Sequence, residues 1–145
     1  MSEARLHLIK LAAGCDSPER LAAWQAERKW RFGRVFHRTR MMPRRRGELL
    51  DGGSIYWVIR GLVQVRQRLL DIEPTQDEAG GRRTLFILDE ELVRTESAPW
   101  RIFQGWRYLS AGDAPKDREG GLGRPAGFEE MPDGMFAELR DLGLV

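Results

Sequence analysis

The chain has 145 residues, of which 41% are hydrophobic, 32% charged and 9% aromatic, and this composition indicates one globular domain. No stretch approaches the roughly 20 apolar residues of a membrane helix, and the first residues lack the apolar core of a secretory signal. Because the only cysteine, Cys15, cannot form an internal disulfide, we expect a cytoplasmic protein with no membrane partner and no disulfide-linked partner.

The formal net charge of +2 conceals a segregation of charge along the chain. Residues 28–70 contain twelve basic and two acidic side chains, a net charge of +10, whereas residues 71–145 contain nine basic and sixteen acidic ones, a net charge of −7. Among the 24 basic residues, 21 are Arg and 3 are Lys. The middle block is therefore the part of the chain that we expect an acidic partner to contact.

The first 27 residues predict a strand followed by a helix. Residues 6–11 alternate enough between apolar and polar side chains to indicate a short strand. Ser17 can cap the following helix, and Pro18 suits its first position because the missing N–H would have no intrahelical acceptor there. Apolar residues then recur at helical spacing, so the helix is predicted to end near Lys29, with Gly33 at or just beyond its end.

The middle block predicts three strands around a short helical turn. Its elements are a strand over residues 35–42, a helical turn over 44–50, a strand over 54–59 that is apolar on both faces, and a longer strand over 62–73. Residues 51–53, Asp-Gly-Gly, are a turn signal before the apolar strand. A bulge is expected in the longer strand near Leu69 and Leu70, where the alternation breaks.

The third block opens with a hairpin loop over residues 74–81. The following elements are a return strand over 82–88, an acidic turn over 89–91, a weak strand over 92–94 and an aromatic segment over 100–109. Gly, Pro and charged residues then indicate a surface loop. A final helix is predicted from Asp133, because Met135, Leu139 and Leu142 have helical spacing.

This order of elements, with most strands consecutive, indicates a mostly antiparallel α+β domain. Five or six short strands in so small a chain favour closure into a small β-barrel with an N-terminal helix and a C-terminal helix. We assign residues 1–109 to the barrel domain, residues 110–131 to a Gly/Pro-rich surface loop, and residues 132–145 to a C-terminal helix that packs on the same domain.

The inventory of reactive residues favours binding over catalysis. Two histidines and one cysteine cannot supply a structural zinc site of the usual composition, so we expect no metal and no cofactor. The Gly-x-Ser-x-Gly signature of hydrolases is absent from the sequence, and the one Lys that stands two residues after an acid, Lys29 after Glu27, falls in the predicted helix and not on a strand as in a strand-borne nuclease site. No residue pattern in this inventory therefore favours an enzymatic function.

The strongest functional signal is a run of nine basic residues within residues 28–46, with no acid between them. They are Arg28, Lys29, Arg31, Arg34, Arg38, Arg40, Arg44, Arg45 and Arg46. Such clustering is typical of proteins that bind a phosphate backbone, and a guanidinium offers a bidentate fork to phosphate. Two alternatives to a binding role stay open, since a genome rich in G and C encodes Arg in place of Lys, and the acidic block could pair with this run across the fold.

Aromatic residues accompany the basic ones and give a second signal. Trp30, Phe32 and Phe36 are interleaved with Arg, and Trp106 and Tyr108 flank Arg107. Single-stranded nucleic acids bind to exposed aromatic rings beside a basic groove, because each base can stack on a ring. The alternative for each of these rings is a place in the hydrophobic core, above all for Trp57 within its apolar strand.

Three motifs are specific enough to indicate a family. They are His37-Arg38-Thr39-Arg40 through Pro43, Leu49 through Gly61, and Phe103-Gln104-Gly105-Trp106-Arg107-Tyr108-Leu109. On these motifs the chain resembles an uncharacterised bacterial family whose members have about this length and carry only a domain-of-unknown-function label. The resemblance covers nearly the whole chain and implies no established activity.

A more distant resemblance is to the PUA-like superfamily, which includes PUA, ASCH, EVE and YTH domains. In those barrels a strand and a helix are followed by an Arg-bearing strand, a Gly-rich turn and an apolar strand. The corresponding positions in this chain are Arg38 or Arg40 for the arginine, residues 51–53 for the turn and residues 55–59 for the apolar strand. The resemblance implies a PUA-like barrel that binds RNA or a modified base. One ASCH relative is an amidohydrolase that acts on acylated cytidine. The resemblance to it implies that Thr39 is a candidate catalytic residue.

Our lead hypothesis is a domain that binds RNA or a nucleotide-containing ligand. It assigns phosphate contacts to Arg38, Arg40, Arg44, Arg45 and Arg46, and base stacking to Trp57 or Trp106, with Arg107 and Tyr108 lining the same cleft. One alternative is an ASCH-like hydrolase of a modified nucleoside that uses Thr39. The other is a protein-interaction module whose basic face meets an acidic partner.

Overall fold

The structure, a computed structural model, describes residues 5–101 and 103–118. In this part of the chain the elements are β1 (Leu6–Leu11), α1 (Pro18–Phe32), β2 (Val35–Thr39), α2 (Arg46–Leu50), β3 (Ser54–Ile59), β4 (Leu62–Gln76), β5 (Arg82–Pro99) and β6 (Trp106–Ser110). The predicted loop over 110–131 is described only as far as residue 118, and the helix predicted from Asp133 lies outside the described residues.

The strands form one open mixed sheet in the order β2-β5-β4-β3-β1-β6. Neighbouring strands are antiparallel except β1 and β3, which are parallel. The prediction of a closed barrel was therefore wrong, because β2 and β6 lie at opposite edges of the sheet and do not pair. The parallel pair arises because α1, β2 and α2 lie between β1 and β3 in the chain, so the chain re-enters the sheet in the same direction.

Local signals at both ends of α1 act as predicted. The Ser17 hydroxyl oxygen accepts a hydrogen bond from the Arg20 backbone N–H at 3.1 Å, and Pro18 occupies the first helical turn. At the other end Gly33 adopts the left-handed conformation with φ of 81°, and its N–H donates to the Lys29 carbonyl at 2.9 Å. The helix continues to Phe32, three residues beyond the predicted end, because this glycine terminates it.

The acidic segment over residues 89–91 was predicted to form a turn, but in the structure it is a bulge inside the continuous strand β5. Gln67 of β4 pairs with Leu92, and Leu69 pairs with Leu88, so the single residue between the β4 partners opposes three residues of β5. The predicted bulge near Leu69 and Leu70 is also confirmed, because Leu69 pairs with Leu88 and Asp71 with Ile87, which leaves Leu70 as an extra residue of β4. Pairing along the rest of β4 keeps the strand continuous despite the polar sequence.

Both faces of the central strands are buried, which accounts for the apolar residues on both sides of β3. On one face α1 contributes Leu21, Ala22 and Ala26 to the larger core, which also contains Leu8 and Trp57. The opposite face carries a smaller cluster of Ile9, Tyr56, Val58, Val63 and Leu109, with Trp100 and Phe103 packed against it. Successive residues of a strand point to opposite faces, so Lys10 faces the larger core with Leu8.

Gly53 is a position where only glycine fits. Its N–H donates to the Leu49 carbonyl at 2.8 Å, and a Cβ there would lie 2.3 Å from that oxygen and 2.7 Å from the Leu6 carbonyl oxygen. We expect Gly53→Ala to lower the free energy of unfolding, measured by urea titration, by about 2 kcal/mol, because the backbone of Leu49 and Leu6 must move to make room for the Cβ. Gly47→Ala is the matched control, since its Cβ would meet no atom within 4 Å. Equal stabilities for the two variants would contradict the prediction.

Candidate functional site

The predicted phosphate-binding arginines divide into two groups. Arg45 forms an ion pair with Glu48, and Arg46 binds the Asp71 carboxylate and donates from Nε to the Ile72 carbonyl at 2.8 Å. Arg46 therefore fastens α2 to β4, whereas the Arg45–Glu48 pair lies within the first turn of α2. In contrast, no acidic side chain in the described residues forms an ion pair with the other three predicted arginines, which are exposed: Arg38, Arg40 and Arg44.

The predicted stacking residue Trp57 lies in the core. Only 2% of its surface is exposed, and its indole N–H donates to Gln67 Oε1 at 3.2 Å. A base cannot stack on a ring that the core covers to this extent. Trp57 instead contributes one wall of a small pocket between β1, α1 and β2.

The aromatic pair of β6 holds a neighbouring segment in place. The Trp106 indole N–H donates to the Met41 carbonyl at 2.9 Å, and the Tyr108 hydroxyl oxygen accepts from the Arg45 backbone N–H at 3.0 Å. Both contacts tie residues 41–45 to the edge of the sheet. Trp106 is half-buried against the larger core, so positioning is the role that its contacts support.

Arg107 and Tyr108 do not line one cleft, contrary to our prediction. Adjacent residues of a strand point to opposite faces, and the contacts of this pair follow that rule. The Arg107 guanidinium lies 4.7 Å from the Phe103 ring centroid, on the side of the smaller cluster, whereas Tyr108 contacts Arg45 and Trp106 on the other side. The predicted single cleft is therefore not formed.

The structure brings together a different set of residues between β1, α1 and β2. We name this concavity, of about 60 Å³, the β1–α1 pocket. Its lining residues are Lys10, Leu11, Ala12, Ala13, Leu21, Trp24, Gln25, Arg28, Phe36, His37 and Trp57. Within the described ranges this lining contains two cationic side chains and no carboxylate.

Both cations of the β1–α1 pocket are partly withdrawn from water. Burial lowers the pKa of Lys10, and burial together with the charge of Arg38 lowers the pKa of Arg28, against an opposing effect of Glu27. The Arg28 guanidinium carbon lies 5.4 Å from the Trp24 ring centroid and 5.1 Å from that of Phe36. These ring contacts fix the guanidinium at the wall of the pocket, with its positive charge retained.

Two further polar groups of the pocket make no hydrogen bond within the described part of the chain. They are Nε2 of His37 and the indole N–H of Trp24, and both atoms are buried. Burial lowers the pKa of His37 to about 3, and the nearby charges of Lys10 and Arg28 act in the same direction, so the imidazole is neutral at pH 7. An indole N–H can only donate, so an acceptor is the complementary group.

The β1–α1 pocket adjoins an open surface that we name the arginine groove. Its first part, of about 510 Å³, shares Arg28, Phe36 and His37 with the pocket, and its second part, of about 580 Å³, shares Thr75 with the first. The basic residues along the two parts are Arg28, Arg31, Arg38, Arg40, Arg82 and Arg83. The concave surface therefore runs from the pocket along β2 to the ends of β4 and β5.

Some of these groove cations already have acidic partners. Arg31 lies 3.6 Å from Glu27, and Arg83 lies 2.9 Å from Asp77. Over residues 5–101 and 103–118, no acidic side chain forms an ion pair with the other exposed arginines of the groove, namely Arg38, Arg40 and Arg82, although Asp77 lies near enough to Arg38 for their charges to interact. These three guanidinium groups can accept an external anion without breaking an ion pair of the fold.

Thr39 lies at the end of β2, half-buried and opposite Thr84 of β5. Its hydroxyl group makes no hydrogen bond to any side chain in the described part of the chain. A hydrolase would require an acid or base within hydrogen-bond reach of such a nucleophile.

Comparison with protein families matches residues 8–145, nearly the whole chain, to a family described as proteins of unknown function, DUF1489. The chain belongs to this family. No curated protein and no solved structure matches the chain. Among the described residues of this family member, no helix has the length and apolar character needed to cross a membrane. They also contain no group of three or more His, Cys, Asp or Glu side chains placed to hold a metal ion.

Sequence reasoning missed Lys10, Trp24 and Arg82 as site residues. Lys10 carried a usable signal, because it follows Leu8 by two residues and therefore places a charge on the buried face of an apolar strand. Arg82 lies within residues 71–145, whose net charge is negative, so the net charge of that block gave no sign of a basic site residue. Trp24 showed only the spacing of a core residue on a helix.

Proposed function

We propose that this protein binds single-stranded RNA along the arginine groove. The observation that carries the proposal is the row of exposed, unpaired guanidinium groups of Arg38, Arg40 and Arg82 on one concave surface of the described chain. Guanidinium groups bind phosphate oxygens through paired N–H donors, and no ion pair within residues 5–101 and 103–118 competes for these three. Arg44, exposed four residues after Arg40, is assigned to a flanking phosphate.

Exposed aromatic surface supports a single strand over a duplex. Phe32 is 57% exposed at the end of α1 and lines the groove beside Arg31, whose guanidinium lies 5.3 Å from its ring centroid. A neighbouring ring, Phe36, meets it edge-on with centroids 5.4 Å apart. Unstacked bases can pack on such rings, whereas bases inside a duplex cannot reach them.

The charge dependence of binding tests the proposal. In Arg38→Ala/Arg40→Ala/Arg82→Ala, the slope of log affinity against log salt for a labelled 12-nucleotide RNA should become shallower by about 2, because about 0.7 is lost for each phosphate contact. Affinity at 100 mM salt should fall at least about tenfold. Fluorescence anisotropy titrations between 50 and 200 mM salt measure both quantities.

A control variant removes the same charge elsewhere. Arg68→Ala/Arg101→Ala/Arg118→Ala replaces three exposed arginines outside the lining of the groove and should leave the salt slope nearly unchanged. Equal losses in the two triple variants would show a response to net charge alone and contradict the assignment of the groove. Undetectable RNA affinity at 50 mM salt would overturn the proposal, and a co-purified acidic protein in its place would favour an interaction module.

A further inference from the structure

We infer that the β1–α1 pocket binds a phosphomonoester group. The charge of the pocket is the first argument. Lys10 and Arg28 both line it, and its described lining includes no carboxylate. Removing a cation from water costs free energy unless an opposite charge lies nearby, so an anion in the pocket interacts with two partly desolvated positive charges at once.

The hydrogen-bonding groups of the pocket narrow the class of anion. The indole N–H of Trp24 is a donor. The Arg28 guanidinium donates one hydrogen bond, of 3.1 Å from NH1, to the Phe36 carbonyl, and its other N–H groups donate to no acceptor in the described part of the chain. Lys10 adds an ammonium, and the buried His37 Nε2 is a fourth polar group. Four polar side chains from three elements match the three terminal oxygens of a phosphomonoester better than the two oxygens of a carboxylate.

The size of the pocket supports a small group. A volume of about 60 Å³ holds about four to six water-sized atoms, which is the size of one phosphate group and smaller than a nucleoside. The rest of a phosphorylated ligand must therefore extend out of the pocket. Arg28, Phe36 and His37 line both the pocket and the arginine groove, so that exit leads onto the groove.

Two sources of this group are consistent with the geometry: a free phosphorylated small molecule, and the phosphorylated end of a strand in the groove. Only the second source rests on the proposed RNA-binding function. Inorganic phosphate and uridine monophosphate, titrated by calorimetry against the protein with uridine as reference, test the pocket alone. We expect both phosphates to bind and uridine not to bind.

Oligonucleotides distinguish the two sources. Three otherwise identical 12-nucleotide RNAs, with a 5′-phosphate, a 3′-phosphate or no terminal phosphate, are compared by anisotropy. At least about tenfold tighter binding of one phosphorylated RNA indicates the strand end. Equal binding of all three, with the monophosphate still bound, indicates a free small molecule as the source. If neither phosphate binds and the three RNAs bind equally, the pocket inference fails while the RNA-binding proposal stands.

Variants assign the effect to the pocket. Lys10→Met retains the length of the side chain and removes its charge, so it should weaken phosphate binding at least about tenfold. Lys116→Met removes the same charge from an exposed position outside the pocket and should leave phosphate binding unchanged. Trp24→Phe retains a ring and removes the indole N–H, and provides a second test if Lys10→Met folds poorly. Unchanged phosphate affinity in folded Lys10→Met or Trp24→Phe would overturn the assignment.

Discussion

Gln67→Leu should lower the free energy of unfolding by about 4 kcal/mol, the largest effect of a single substitution that we expect. Gln67 is fully buried in β4. Its Nε2 donates to Gln25 Oε1 and to the Asp89 carbonyl, each at 2.7 Å, and its Oε1 accepts from Gln25 Nε2 at 2.8 Å and from Trp57 Nε1 at 3.2 Å. Leucine would leave the groups on all three partner residues without these bonds, and each buried unsatisfied group costs about 1–3 kcal/mol.

The position of Gln67 explains why the amide is needed. Residues 89–91 bulge out of the pairing between β4 and β5, and the Asp89 carbonyl accepts its hydrogen bond from the Gln67 side chain. The amide therefore stabilises the bulge and also joins α1, through Gln25, to the sheet. Chemical unfolding followed by tryptophan fluorescence and far-UV circular dichroism measures the loss.

The double variant Gln25→Leu/Gln67→Leu is the control. Replacing both amides removes the donors and acceptors that each single variant leaves unsatisfied on the other residue. Its loss should therefore be well below the sum of the two single losses. Single losses that add to within about 0.5 kcal/mol would contradict a coupled amide pair.

The second large effect is a loss of stability in mild acid, to which His7 should contribute about 3 kcal/mol between pH 6.5 and pH 4. Burial is the main cause that lowers the pKa of His7 to about 4 in the folded chain, against 6.5 for an ordinary histidine; the charge of Arg66 acts in the same direction and that of Asp117 opposes it. Its Nδ1 accepts a 3.0 Å hydrogen bond from the Ser54 backbone N–H, so that nitrogen must be unprotonated.

The direction of the effect follows from proton linkage. Below pH 6.5 the unfolded chain binds a proton at His7 that the folded chain does not bind until about pH 4. The free energy of unfolding therefore decreases as the pH is lowered from 6.5 to 4. Well above pH 6.5 the contribution of His7 is complete and constant. His37, whose pKa is lowered to about 3, adds a loss of the same sign that extends to lower pH.

A conservative variant separates His7 from the other titrating groups. His7→Asn supplies a side-chain oxygen that can accept from the Ser54 N–H but has no proton to bind in this range. Urea titrations at several pH values between 4 and 7.5 should give a shallower pH dependence for the variant. Parallel curves for the variant and the wild type would show that His7 does not bind its proton differently in the folded and unfolded chains.

Local features of the fold could be predicted because their causes lie within a few residues. The start of α1 follows from Ser17 and Pro18, and its end from Gly33, whose φ of 81° is accessible to glycine. The strand over residues 54–59 could be predicted from its apolar side chains, and its burial on both faces agrees with them. The acidic segment over 89–91 showed a real irregularity, but its placement inside a strand depends on partners in β4.

The structure groups the basic residues differently from the predicted site. Neighbours in sequence such as Arg45 and Arg46 turned out to be engaged with Glu48 and Asp71, while Arg82, forty-two residues after Arg40, lies along the same groove. Whether an arginine is paired depends on acids that are distant in sequence. That Arg107 and Tyr108 lie on opposite faces of β6 could have been predicted, because successive side chains of a strand alternate between its two faces.

The sequence by itself determined the basic character of residues 28–46, most helix and strand positions and the α+β class, because charge, capping and side-chain periodicity are local properties. Only the tertiary structure decided that the sheet is open, which arginines have acidic partners, and that Lys10, Trp24 and His37 meet in one pocket. These three residues lie on β1, α1 and β2, and their meeting depends on how those elements pack. Packing is a sum of many weak contacts between distant segments, which no local pattern specifies.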